Sequence, residues 1–131
     1  MKASTMRRVY RREAAVMLVM AKLAVRFVPP ARLFAWADRP PRRIRRFAAD
    51  EARWVAWAIE ERGARAPDLP RALAAHAMLR RRGIASRLCL GVAREDGEVA
   101  AHAWVEIGDD KIAGGAEAEG FTRLAAFGKA S

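Results

Sequence analysis

The hydrophobic period of this chain changes once, at Gly83, and that change limits the folds open to it. Before Gly83 the apolar residues recur at helical spacing; after it they alternate. Residues 4–28 are predicted as one helix, stopped by Pro29-Pro30. A short helix follows at 31–37, then the linker 38–41. A third helix is predicted over 43–62, where Phe47, Trp54, Val55, Ala58 and Ile59 share helical spacing and Gly63 is placed to end it. The fourth starts near Leu69. Asp68 is of N-cap type, Pro70 falls in the first turn, and Arg80-Arg81-Arg82-Gly83 closes it with cations and a glycine. Beyond it come strands at 86–93, 99–107 and 111–113, joined by turns at 94–97 and 108–110, and a closing element at 121–127. Helices first and an antiparallel meander second make the chain α+β.

Two stretches divide it, a basic helical region 1–65 and a core 66–131. Residues 1–65 carry 16 Lys and Arg against 6 Asp and Glu; residues 66–131 carry 9 of each, so the whole net charge of +10 lies in the front half. Nucleic acid, an anionic membrane surface or an acidic protein would each suit that asymmetry. A GC-rich coding bias toward Arg and Ala is the functionless alternative. No compact nucleic-acid motif accompanies the charge, so nucleic acid is not an expected partner. Residues 14–28 are apolar but short of the roughly 20 residues of a spanning helix, and Lys22 and Arg26 interrupt them. No small-x-small cleavage site follows, which argues against a secretory signal. An amphipathic or buried helix is expected there, with a helix lying on a membrane surface as the alternative.

With a single cysteine, Cys89, and two histidines, the chain has no internal disulfide and no Cys cluster for zinc; neither metal nor cofactor is expected. The default setting is reducing and cytoplasmic. Cys89 alternates with Leu88 and Leu90 as a small buried residue does, which argues against a nucleophile. His76 shares a helical face with Leu69, Ala72 and Leu73, which favours a packed core histidine over a ligand. His102 lies mid-strand between Ala101 and Ala103, accessible past small neighbours, with Trp104 and Glu106 on its own face. Glu106 is one candidate to orient it, and the orienting acid stays unassigned. Gly91, Gly114 and Gly115 form no phosphate-binding pattern.

Taken together, the segments LPRALAAHAMLRRRGI (69–84), SRLCLGV (86–92), AHAWVE (101–106), IAGG (112–115) and FTRLAAF (121–127) resemble the stand-alone leader peptidases of lasso-peptide biosynthesis. These are small bacterial B-type maturation proteins with a transglutaminase-like, or papain-like, fold. The resemblance covers roughly residues 66–127, in order. It implies a cysteine peptidase that removes the leader from a ribosomally made precursor peptide. Its helpers would be a separate leader-recognition protein and an asparagine-synthetase-like cyclase that uses ATP. In that family the nucleophilic Cys begins the helix, where dipole and His favour the thiolate, and the His comes from the adjacent strand. His102 in AHAWVE takes the histidine position. The nucleophile position, immediately before Leu-Pro-Arg-Ala-Leu, holds Asp68. Cys89 lies 21 residues later on a strand and does not substitute for it. The position of the third, orienting residue is Gly114. The expectation is therefore a catalytically impaired member acting on a precursor leader through Asp68 and His102. A water-activating Asp68–His102 dyad is the catalytic alternative. The alternative of another class is a binding or scaffolding protein using its basic front half on an acidic partner or surface.

Overall fold

The computed structural model describes residues 2–44, 49–112 and 120–128. Four helices precede four strands: α1 (Ala3–Phe27), α2 (Pro30–Asp38), α3 (Ala49–Gly63), α4 (Asp68–Arg81), β1 (Arg87–Glu95), β2 (Glu98–Ile107), β3 (Asp110–Ile112) and β4 (Thr122–Phe127). The chain is α+β. Phe47, Gly114 and Gly115 lie outside the described residues, as does the end of the expected third strand; of the expected third helix, residues 43 and 44 are not helical, 45–48 lie outside the description, and the helix runs from Ala49.

Helix α1 buries Tyr10, Ala14, Leu18 and Ala21, one face at spacings of four and three, and stops where Pro29 and Pro30 follow. Pro30 opens α2 at the position where its missing N–H costs nothing. α4 is the central element, with every residue from Pro70 to His76 buried, together with Met78 and Leu79. One hydrophobic cluster joins residues of α1, α2, α3 and α4 to Leu88 of β1 and Ala103 and Val105 of β2. A charged clasp reinforces the α1–α4 contact. Arg82 Nη1 donates to Glu13 Oε2 at 2.8 Å, and the guanidinium lies 4.4 Å from the Tyr10 ring centroid. Arg81 adds a longer pair to Glu13, at 3.4 Å.

The end of α4 follows from its sequence. Gly83 takes φ 72°, its N–H bonds to Arg80 O, and the Ile84 N–H reaches back to Leu79 O, both at 3.0 Å. That is the double closure of a Schellman motif. The start of α4 corrects the sequence reading. Pro67 is the N-cap residue and Asp68 the first residue of the helix, with no side-chain capping bond. The Asp68 carboxylate is turned to other partners, described below.

Strands β1 and β2 are joined by the two-residue turn Asp96-Gly97, with φ 52° and 81°, the type I′ geometry that matches strand twist. Glu95 and Glu98 close the ladder beside it. The sheet order is β3-β2-β1-β4, all antiparallel. Here the structure departs from a plain meander, because β4 does not extend past β3 but returns to the far edge of β1. Apolar packing accounts for the return: Phe127 pairs with Leu88 and stacks on Phe34 of α2 at 4.8 Å, closing the core on that side.

Candidate active site at the start of α4

Placing Asp68 first in α4 brings its carboxylate to the positive end of the helix dipole, where negative charge is favoured. One turn on, at i+3, Arg71 Nη2 donates to Asp68 Oδ1 at 3.2 Å, and the arginine is 5% exposed. The second oxygen, Oδ2, is in contact with Nδ1 of His102 on β2. The structure thus brings together the two residues that the sequence singled out, from opposite ends of the fold's period change. The Asp68 and His102 side chains keep 25% and 20% of their surface, enough for a ligand to reach them.

The imidazole is further held by Phe121, whose ring meets it edge-on at 4.4 Å between centroids. Phe121 also lies beside Trp104, at 6.5 Å, and these two rings with Cys89 form a small second cluster. Gly91, the β1 partner of His102, permits that arrangement. A Cβ there would sit 2.6 Å from the Trp104 ring and 2.7 Å from the carbonyl of Thr122.

Glu106 does not orient His102. Residues four apart on a strand are separated by about 13 Å, and Trp104 stands between them. The Glu106 carboxylate accepts instead from Trp104 Nε1 at 2.8 Å, Arg87 Nη2 at 3.0 Å and Arg123 Nη1 at 3.2 Å. Burial alone would raise this carboxyl, but the Trp104 bond and the Arg123 and Arg87 charges outweigh it and hold it below the usual carboxylate range. Its function is to fix Trp104, and through that ring the floor beside His102.

Cys89 is fully buried, and burial, with Glu106 nearby, pushes its thiol up to about 11. Such a group is almost wholly thiol at neutral pH and is not a nucleophile. His76 sits elsewhere, 1% exposed, donating from Nε2 to Ala37 O at 2.7 Å while Ser86 Oγ donates to its Nδ1 at 2.8 Å. Its burial, opposed only in part by the Ala37 bond and assisted by the nearby Arg80 charge, takes it down to about 4. It is a structural tie. Among the described residues no three His, Cys, Asp or Glu side chains gather as a metal site.

Arg71 and Phe121 went unmarked in the sequence. For Arg71 the i+3 spacing from Asp68 was a usable signal. Phe121 carried none, because its place depends on β4 crossing to β1.

A helix whose start meets a histidine strand in an antiparallel sheet is the arrangement that the resemblance implies. The family model of the transglutaminase-like superfamily matches residues 15–126, a span that includes both Asp68 and His102. The chain belongs to that superfamily. Neither a curated protein nor a solved structure matches it. Among the described residues no helix is long and apolar enough to cross a membrane.

Proposed function

We propose that the chain is a maturation protein of the lasso-peptide leader-peptidase type, and that it engages the leader of a precursor peptide without cutting it. One observation carries the reading. Where that family sets a cysteine against a histidine, this chain sets Asp68 in contact with His102. A carboxylate is a far weaker nucleophile toward an amide than a thiolate, and both Asp68 oxygens are already engaged, by Arg71 and His102. Activating water in the manner of an acid protease calls for two carboxylates sharing a proton, and Glu106 is held away by two arginines and Trp104. The superfamily fold and the contact at the helix start support a retained site; the acid in place of the thiol supports lost cleavage. In this reading the partners are the precursor peptide, a leader-recognition protein and an asparagine-synthetase-like cyclase, in a reducing cytoplasm.

The test is mass spectrometry of a lasso-type precursor peptide incubated with the chain and a leader-recognition protein. The natural chain is expected to leave the leader intact, Asp68→Cys to release it, and Asp68→Cys with His102→Ala to leave it intact again. Brisk cleavage by the natural chain, lost in Asp68→Ala and unaffected by Cys89→Ala, would overturn the impaired-site reading in favour of water activation.

A further inference from the structure

Helix α1 has a second apolar face that none of the described residues covers. Val9, Val16, Met20, Leu23 and Phe27 stand 47–71% exposed, at successive spacings of seven, four, three and four. From Val16 to Phe27 that is the a/d repeat of a coiled-coil seam, a stripe only about 60° wide and about 17 Å long; the a position between Val9 and Val16 is Glu13, turned to Arg81 and Arg82. Val19, 57% exposed, borders it. At Met20 the stripe meets a groove of about 1160 Å³ between α1, α2 and the second half of α4. Small residues floor it: Ala21, Ala24, Ala74 and Ala77 let a helix backbone approach closely, and Met17 and Met20 can adapt to its side chains.

Charge restricts what can lie there. Around the stripe α1 exposes Arg8, Arg12, Lys22 and Arg26, and its one acid, Glu13, is taken by Arg81 and Arg82. Exposed Arg32, Arg42 and Arg43 rim the groove, and among its described lining residues there is no carboxylate. A second copy of the chain laid antiparallel along the stripe would set Arg26 against Arg8 and Arg12, like charge on like. A flat bilayer would leave the groove unfilled, and a helix lying in a membrane surface presents a broader apolar face than this seam.

We infer that the outer face of α1 and the adjoining groove form a docking site for an acidic amphipathic helix of a partner protein. Its apolar a/d residues would interlock with Val16, Met20 and Leu23, and its flanking Asp and Glu would meet the α1 and groove arginines. The groove lies toward the far end of α4, with Arg80 about 18 Å along the axis from Asp68. The inference therefore does not depend on what the Asp68–His102 site does.

The probe is a fluorescent three-heptad peptide with Leu at a and d and Glu at e and g, with a Lys-for-Glu version as control. Anisotropy should show saturable binding of the Glu peptide, weakened at least about tenfold by high salt, and little binding of the Lys peptide. Val16→Glu with Leu23→Glu replaces only exposed side chains, keeps the thermal melt, and should weaken binding at least about tenfold. Arg8→Glu with Arg12→Glu should shift preference toward the Lys peptide. Undiminished binding by the Val16→Glu, Leu23→Glu chain, or no binding by the natural one, overturns the proposal. So does pelleting with phosphatidylglycerol–phosphatidylcholine vesicles, or dimerisation in sedimentation, if that same pair of changes abolishes it. None of these readouts uses a precursor or a cleavage, so their failure leaves the maturation reading standing.

Discussion

The two histidines of this chain occupy opposite kinds of environment. His76 of α4 is 1% exposed, and each ring nitrogen is committed to a neutral partner, Ala37 O on one side and Ser86 Oγ on the other. His102 of β2 keeps a fifth of its side-chain surface and meets a carboxylate. The first links α4 to the end of α2 and to the start of the sheet, so its proton is excluded by packing. The second stands where a helix dipole, the Asp68 carboxylate and an aromatic edge converge. Imidazole chemistry is the same in both. The difference lies in whether the surroundings leave it anything to do beyond holding the fold.

Removing the buried ring is the largest perturbation expected. His76→Ala leaves a cavity and strips the Ala37 carbonyl and the Ser86 hydroxyl of their partner, for a loss of about 3–4 kcal/mol of unfolding free energy. Urea titration measures it, and a loss under about 1 kcal/mol would make the tie incidental.

Next in size is the pH dependence of the same group. Its pKa falls from 6.5 to about 4 on folding, so below 6.5 the unfolded chain takes up a proton that the folded chain refuses. Stability contributed by neutral His76 is present above 6.5 and lost as pH falls toward 4, by roughly 2–3 kcal/mol between about pH 7.5 and about pH 4.5. Subtracting the profile of His76→Gln isolates this contribution. A flat difference would show that the ring is not excluded from water in solution.

How much of this was legible in the sequence depends on the range of each signal. The proline stop of α1, the Arg80–Gly83 closure of α4 and the 94–97 turn are local codes, and the structure follows them, narrowing the turn to Asp96-Gly97. The face on which His76 lies was equally local. Its partner Ala37 is 39 residues away and left no pattern to read. The return of β4 to β1 is likewise non-local, and it supplies both Arg123 to Glu106 and Phe121 to His102. A reading of β2 alone therefore offered Glu106 as a candidate for His102, when its partners are Trp104, Arg87 and Arg123. Asp68 was legible as the start of a helix, but its place one residue inside the cap depends on Pro67 taking the cap, and its carboxylate then goes to Arg71 and His102.

Glu106 offers the intermediate case, a charge that is structural yet adjoins the candidate site. Glu106→Gln removes the carboxylate from between Arg87 and Arg123 and turns an amide N–H₂ toward a guanidinium, at a cost of about 2 kcal/mol. The Cys89 thiol should titrate lower as well, since Glu106 is one of the groups that raise it. A denaturant midpoint and a thiol titration by absorbance check the two effects. An unchanged thiol would mean that burial alone sets it.

The smallest effect on stability is expected where the chemistry is. Asp68 and His102 are partly solvated, but Asp68→Cys also takes an acceptor from Arg71, 5% exposed, so the unfolding free energy should fall by about 1–2 kcal/mol. Its consequence should instead be kinetic. A thiol at residue 68 would sit at the start of α4 beside an imidazole, both of which favour thiolate, whereas Cys89 is buried with its thiol at about 11. Iodoacetamide at neutral pH should therefore alkylate the variant once, at residue 68, while Cys89 in the same molecule serves as the unreactive standard. Adding His102→Ala should slow that alkylation at least about tenfold without moving the melt. Peptide mapping locates the adduct and a time course gives the rate. Equal rates with and without the imidazole would show that Asp68 and His102 are neighbours in the fold but not partners in a reactive pair.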